Sequence, residues 1–307
     1  MSLLSKKYRY ISRRLTNFEL QHSAEDDLLL SADDIYDDLA GKERTRKFLD
    51  FYSENGIKIA LERYGYMKKL KQKGFDNILI NIDTTDPYKH IFRLYYDVEQ
   101  ADHVLVELFI RKKSFIAHPV FQSEIKGEVF NFLYIEWFTM QNPTIPFSPE
   151  RPPLPSQIYP GLGMAKEALE LFIVMCARLH CDGLMNIPER YHNAAIYSKR
   201  FNYFNPETEG KLLALKRDLH HYSLSDISWA FEWNCILNRS NHQIVRWFTD
   251  EQILGVRKSI RDYFKSKTYL KQVEEATHRY QFVMDDKKFD KSRIKHQKAV
   301  NKSLKKA

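Results

Sequence analysis

Cysteine is scarce in this chain. Its three cysteines (Cys176, Cys181 and Cys235) cannot build a disulfide framework, so a reducing cytoplasm is the expected compartment. Glycine, at 10, and proline, at 11 of 307 residues, are too few for a collagen-like or low-complexity chain. Long apolar runs are missing too. The longest near-apolar stretch, Ala168 to Ala177, is interrupted by Glu170 and falls short of the ~20 residues a spanning helix needs. The first ten residues lack the apolar segment of a secretory signal. No Gly-x-Ser-x-Gly, Walker loop or His-Glu-x-x-His occurs, which removes the commonest hydrolase, nucleotide-binding and zinc-protease signatures. What is present is core material: 43% of residues are apolar and 14% aromatic, which excludes wholesale disorder. The length suits one large α/β domain or two smaller ones.

The net charge of +8 is localised. Residues 287–307 hold nine Lys and Arg against Asp290 alone, and the remaining 39 basic and 39 acidic residues cancel. Residues 1–14 carry five basic residues and no acid, while residues 19–38 carry eight acids and no Lys or Arg. These two blocks are expected to form a solvated, partly mobile lead-in.

From about Lys42 to Lys73 the composition favours helix. Asn55-Gly56 is expected to split it, with Gly74 as the stop. Strands are expected at 77–82, 90–96, 103–110 and 130–139, forming an antiparallel meander with both faces covered. Residues 142–160 contain seven prolines and read as a long functional loop. A largely buried helix follows to about His180, with Lys166, Glu167, Glu170 and Arg178 on its polar arc. A short strand at 184–187 and a helix at 191–200 come next. Beyond Pro206 helices are expected at 212–222, 224–237, 250–265 and 269–282, with a possible strand at 244–248. The domain reading is a charged and helical segment over 1–74, an α/β core over 75–222, a helical extension over 223–286 and a basic stretch over 287–307.

Tyr159-Pro160-Gly161-Leu162-Gly163-Met164 carries a physical device. Two glycines let backbone approach a ligand, and the unsatisfied amides and dipole of the following helix favour an anion. With the strand before it, Cys181 to Glu189 after it, and His192-Asn193-Ala194-Ala195-Ile196-Tyr197-Ser198-Lys199, the segment from about Phe130 to Phe204 resembles the GNAT superfamily of acyl-CoA N-acyltransferases. The family's Gln or Arg before the glycines is replaced by Ile158, and no final β-hairpin is legible after Phe204. The resemblance implies a mixed, mostly antiparallel sheet flanked by helices, with helical N- and C-terminal extensions. It implies acetyl-CoA or another acyl-CoA as co-substrate and an amine as acceptor. Backbone at Tyr159, Gly161, Leu162, Gly163 and Met164 would hold the pyrophosphate, and Asn193 would lie beside the pantetheine. Tyr197 would protonate the departing thiolate and Glu136 would take the proton of the attacking ammonium. The plainer alternatives are a core role for Tyr197, a helix cap at Asn193 and a solvent-facing Glu136.

Cys176, His180 and Cys181 match no common zinc spacing, so no metal is expected. Lys288, Lys291, Lys295, Lys298, Lys302 and Lys305 would fall on one side of a helix. Residues 287–307 therefore read as a disordered solubilising stretch or as a helix ordered by nucleic acid or another acidic partner. On the second reading the GNAT-like core would be a non-catalytic scaffold.

Overall fold

The structure, a computed structural model, describes residues 3–21 and 47–304. Most of the acidic block at 19–38 lies outside these residues. The described chain is of mixed α/β class, with eleven α-helices, a seven-stranded, mostly antiparallel sheet and a separate two-stranded ribbon. It divides into two compact units. The first comprises Met1–Ile116, Val129–Pro146 and Tyr159–Leu184, and the second Ala117–Glu128, Phe147–Ile158 and Met185–Ala307.

The first unit begins with helices α1 (Leu3–Arg14) and α2 (Asn17–Gln21). The basic residues do not make α1 a mobile lead-in. Tyr8 is fully buried, Ser5 Oγ donates to Glu170 at 2.7 Å, and Arg178 donates to the carbonyls of Ser12 and Leu15. Glu170 is correspondingly buried rather than part of a solvent-facing arc. Helix α3 (Glu54–Arg63) starts at Ser53, whose side chain accepts from the Gly56 amide. Asn55-Gly56 thus lies in its first turn and breaks nothing. A Cβ on Gly56 would stand 2.1 Å from the Leu20 carbonyl oxygen, so this glycine serves close packing against α2. The break comes instead at Gly65, left-handed at φ 79°, before α4 (Tyr66–Gln72). Gly74, at φ 92°, ends that helix as expected.

Strands β1 (Ile78–Asp83), β2 (His90–Tyr96), β3 (Val104–Ile116) and β4 (Val129–Met140) pair antiparallel in chain order, giving the expected meander. One face buries Phe92, Leu94, Val106 and Leu108. The other is covered only in part: Phe130 and Phe132 of β4 are buried there, but the rest is open. It carries the ion pairs Arg93–Glu107 and Arg111–Glu136, and Trp137 is half-exposed. Helix α5 (Ala165–Arg178) meets the buried face, with Phe172 edge-on to Phe138 at 5.1 Å between centroids. Cys176 Sγ donates to the Cys181 carbonyl at 3.2 Å, the bond of a buried structural thiol. Strand β5 (Gly183–Asn186) follows.

In the second unit α6 (Tyr191–Tyr197) leads to β6 (Asn202–Tyr203). Helix α7 (Pro206–Asp218) is capped by Asn205, with Pro206 in its first turn, and α8 (Leu224–Glu232) by a Ser223–Asp226 capping box. Helix α8 stops short of the expected Leu237. Asn234 turns at φ 53°, and β7 (Ile236–Asn238) then pairs with β9 (Phe282–Met284). Residues 244–248 form no strand; Ile244 makes one bridge to Leu237. The helix expected over 250–265 is β8 (Gln252–Gly255) followed by α9 (Lys258–Lys265). Strand β8 pairs antiparallel with β6, supplying after a long excursion the strand partner that is not legible just after Phe204. Helices α10 (Lys267–Arg279) and α11 (Asp286–Leu304) complete the unit. A disordered stretch is thereby overturned for 287–304. The core joins Tyr203, Leu212, Leu215, Ile227, Phe231 and Phe282.

The proline-rich segment is tied down locally. The Pro153 carbonyl accepts from Trp229 Nε1 at 2.9 Å and from Ser225 Oγ at 3.0 Å.

Candidate functional site

The end of β4 and the start of α5 are joined through backbone. Gln141 bridges Gly161, the Asn142 amide donates to the Pro160 carbonyl at 2.7 Å, and the Leu162 amide donates to the Met140 carbonyl at 3.2 Å. Leu162 and Met164 are buried and anchor the turn, while Gly161 and Gly163 are exposed. Gly163 sits at φ 74°, a conformation that favours glycine. Met164 then starts α5 with no side-chain cap. The first-turn amides of a helix have no carbonyl acceptor within it, and the dipole makes that end positive; here the Glu167 carboxylate already accepts from the Glu167 amide.

Two lysines that sequence reasoning passed over stand nearby. The Lys73 ammonium lies 3.8 Å from where a Gly163 Cβ would be. Lys69 pairs with Glu167 in the first turn of α5. Desolvation works to raise the Glu167 pKa, but the Lys69 bond and its own backbone amide bring it below the ordinary carboxylate value. Lys73 follows α4 in sequence by a single residue and is separated from the glycines by about half the unit, so spacing offered no signal for it.

Glu136 occupies a β-bulge. The β3–β4 register passes from Phe109 opposite Trp137 to Ile110 opposite Ile135, which leaves Glu136 unmatched. Bulges re-aim side chains and are common beside active sites. Glu136 Oε1 lies 2.7 Å from Arg111 Nε, and the Arg111 guanidinium is 5.2 Å from the Tyr134 ring centroid. Glu136 and the glycine turn belong to the first unit; Asn193 and Tyr197 belong to the second.

Asn193 lies inside α6 and does not cap it, since the N-cap is Arg190. Tyr197, the last residue of α6, packs edge-on to Phe201 at 5.6 Å. Desolvation pushes its hydroxyl pKa up to about 12, so it keeps its proton at neutral pH. The next residue, Ser198, accepts a hydrogen bond from Lys216, whose pKa burial lowers.

The second unit also contains buried polar atoms without a hydrogen-bond partner: Asn186 Oδ1, His192 Nδ1, Tyr203 Oη and Gln252 Oε1. Tyr203 and Gln252 are register partners, and Gln252 Nε2 donates to the Ala194 carbonyl of α6 at 3.3 Å. A reading of 250–265 as helix could not bring Gln252 opposite Tyr203. Burial, reinforced by Arg190, pushes the His192 pKa down to about 4.

Among the described residues no group of three His, Cys, Asp or Glu side chains is arranged to hold a metal, and no helix is long and apolar enough to cross a membrane. No protein-family model matches the chain, and no curated protein matches it.

Proposed function

We propose that this protein is an acyl-CoA-dependent N-acyltransferase of GNAT-like architecture. The observation that carries the reading is the glycine turn hydrogen-bonded to the end of a bulged strand and opening an uncapped helix. Such a helix start suits a pyrophosphate, each charge–dipole contact being worth about 0.3–1 kcal/mol. Lys73 adds a cation beside it. The order of meander, glycine turn, α5, β5 and α6 further supports the resemblance.

In the proposed reaction the amine nitrogen attacks the thioester carbonyl after giving up a proton, for which Glu136 is the assigned acceptor. The C–N bond forms, the C–S bond breaks and the thiolate takes a proton from water.

Titration calorimetry of the whole chain with CoA and acetyl-CoA tests the reading. Binding at micromolar to sub-millimolar ligand is expected, and absence of heat at millimolar ligand overturns it. Gly163→Ala, strained at φ 74°, should weaken that binding.

A further inference from the structure

Helix α11 has two opposed faces. On one, Phe289 is buried against Trp233 with ring centroids 5.4 Å apart, and His296 lies 4.4 Å from Trp229. Trp229 and Trp233 stack on each other at 5.1 Å, forming a seat at the C-terminal end of α8. At 100° per residue, Phe289, Ser292 and His296 share this face, and Lys287, Lys291, Lys295 and Lys298 lie within about 80° of one another on the opposite side. All four lysines are exposed, and among the described residues none is held in an ion pair. Two further α11 cations are already engaged. Lys288 Nζ donates to the Asn234 carbonyl at 2.8 Å, and Arg293 pairs with Asp290.

Like charges three and four residues apart repel and weaken a helix. The seat on Trp229 and Trp233 holds this one in place and fixes its lysines outward in a row about 17 Å long. A duplex carries a phosphate charge every ~1.7 Å of axis in a stiff array, which complements a stiff row of cations. The row has no aromatic side chain to stack on unpaired bases, as single-strand binders use. It also has no parallel apolar stripe, as membrane-surface helices use; Ile294 alone is exposed near it. We propose that the lysine face of α11 is a docking surface for duplex DNA, engaging phosphates without reading bases.

The test is fluorescence anisotropy of the full chain with a short labelled DNA duplex across a salt series. Four phosphate contacts predict a slope of log K against log[salt] of about −3.6, a loss of roughly 150-fold in affinity between about 50 and 200 mM salt. Changing Lys287, Lys291, Lys295 and Lys298 together to Gln should abolish that steep component, and changing all four to Arg should retain it. A circular dichroism spectrum matching the parent confirms that each variant is folded. The proposal fails if the Gln variant binds the duplex as the parent does. It also fails if the slope is shallower than about −1, or if the single strand or phosphatidylserine vesicles bind at least as tightly as the duplex. CoA calorimetry on the Gln variant should be unchanged, so this proposal and the acyltransferase reading fail separately.

Discussion

His192 shows how one buried side chain sets a pH dependence. Its imidazole is buried, Nδ1 has no hydrogen-bond partner, and burial with Arg190 beside α6 lowers its pKa from 6.5 to about 4. The unfolded chain therefore binds the proton first as pH falls. The contribution to stability is complete above about pH 6.5 and is lost as the pH drops through the window down to about 4, with a ceiling on the order of 3 kcal/mol. Denaturant melts of the parent should lose stability across that window, and His192→Gln should flatten the loss. An identical pH profile for the two proteins would show that His192 is not the titrating group.

At the scale of elements, the α2–α3 contact rests on a missing side chain. Alanine normally favours a helix over glycine by about 1 kcal/mol. At Gly56 the added methyl would meet the Leu20 carbonyl at 2.1 Å, and that carbonyl also accepts from the Ser53 amide at 2.9 Å. Backbone cannot yield there without opening the α2–α3 junction. Gly56→Ala should therefore destabilise the protein by about 1–3 kcal/mol or more, read from the denaturant midpoint. A variant as stable as the parent would refute the packing role. The same contact explains why Asn55-Gly56 misleads as a break: composition marks the glycine but not the carbonyl it must clear. Elements specified by local pattern were legible, among them the four-stranded meander, the stop at Gly74 and the helix after Gly163. Elements specified by distant partners were not. Gln252 and Ile253 fall in a stretch that reads as helix, and their pairing with Tyr203 and Asn202 makes them a strand. At the candidate site the glycine turn could be read from spacing. Lys73 could not, nor could Gln252 opposite Tyr203, because neither is near its neighbours in sequence.

At the scale of the whole molecule, each compact unit is assembled from three separate stretches, and the chain passes between units at five places. Residues 185–307 look by length like a self-sufficient helical half, but their unit is completed from upstream. Phe121 stacks on Tyr263 at 5.5 Å with planes 6° apart, Glu128 pairs with Arg257 at 3.1 Å, and the Pro153 carbonyl receives Trp229 Nε1 and Ser225 Oγ. A fragment of residues 185–307 would lose all of these. The two bonds to Pro153 contribute about 1 kcal/mol each and the ring stack about 0.5–1.5 kcal/mol, which together are a large fraction of the 5–15 kcal/mol that holds a typical domain. The fragment should accordingly melt well below the intact protein and lose near-ultraviolet dichroism from Trp229, whose indole N–H would have no acceptor. Adding a peptide spanning residues 147–158 should restore part of that signal, and Trp229→Phe in the intact chain should reproduce part of the loss. A fragment with the melting temperature of the parent would show that the interleaved stretches are decoration and that residues 185–307 fold alone.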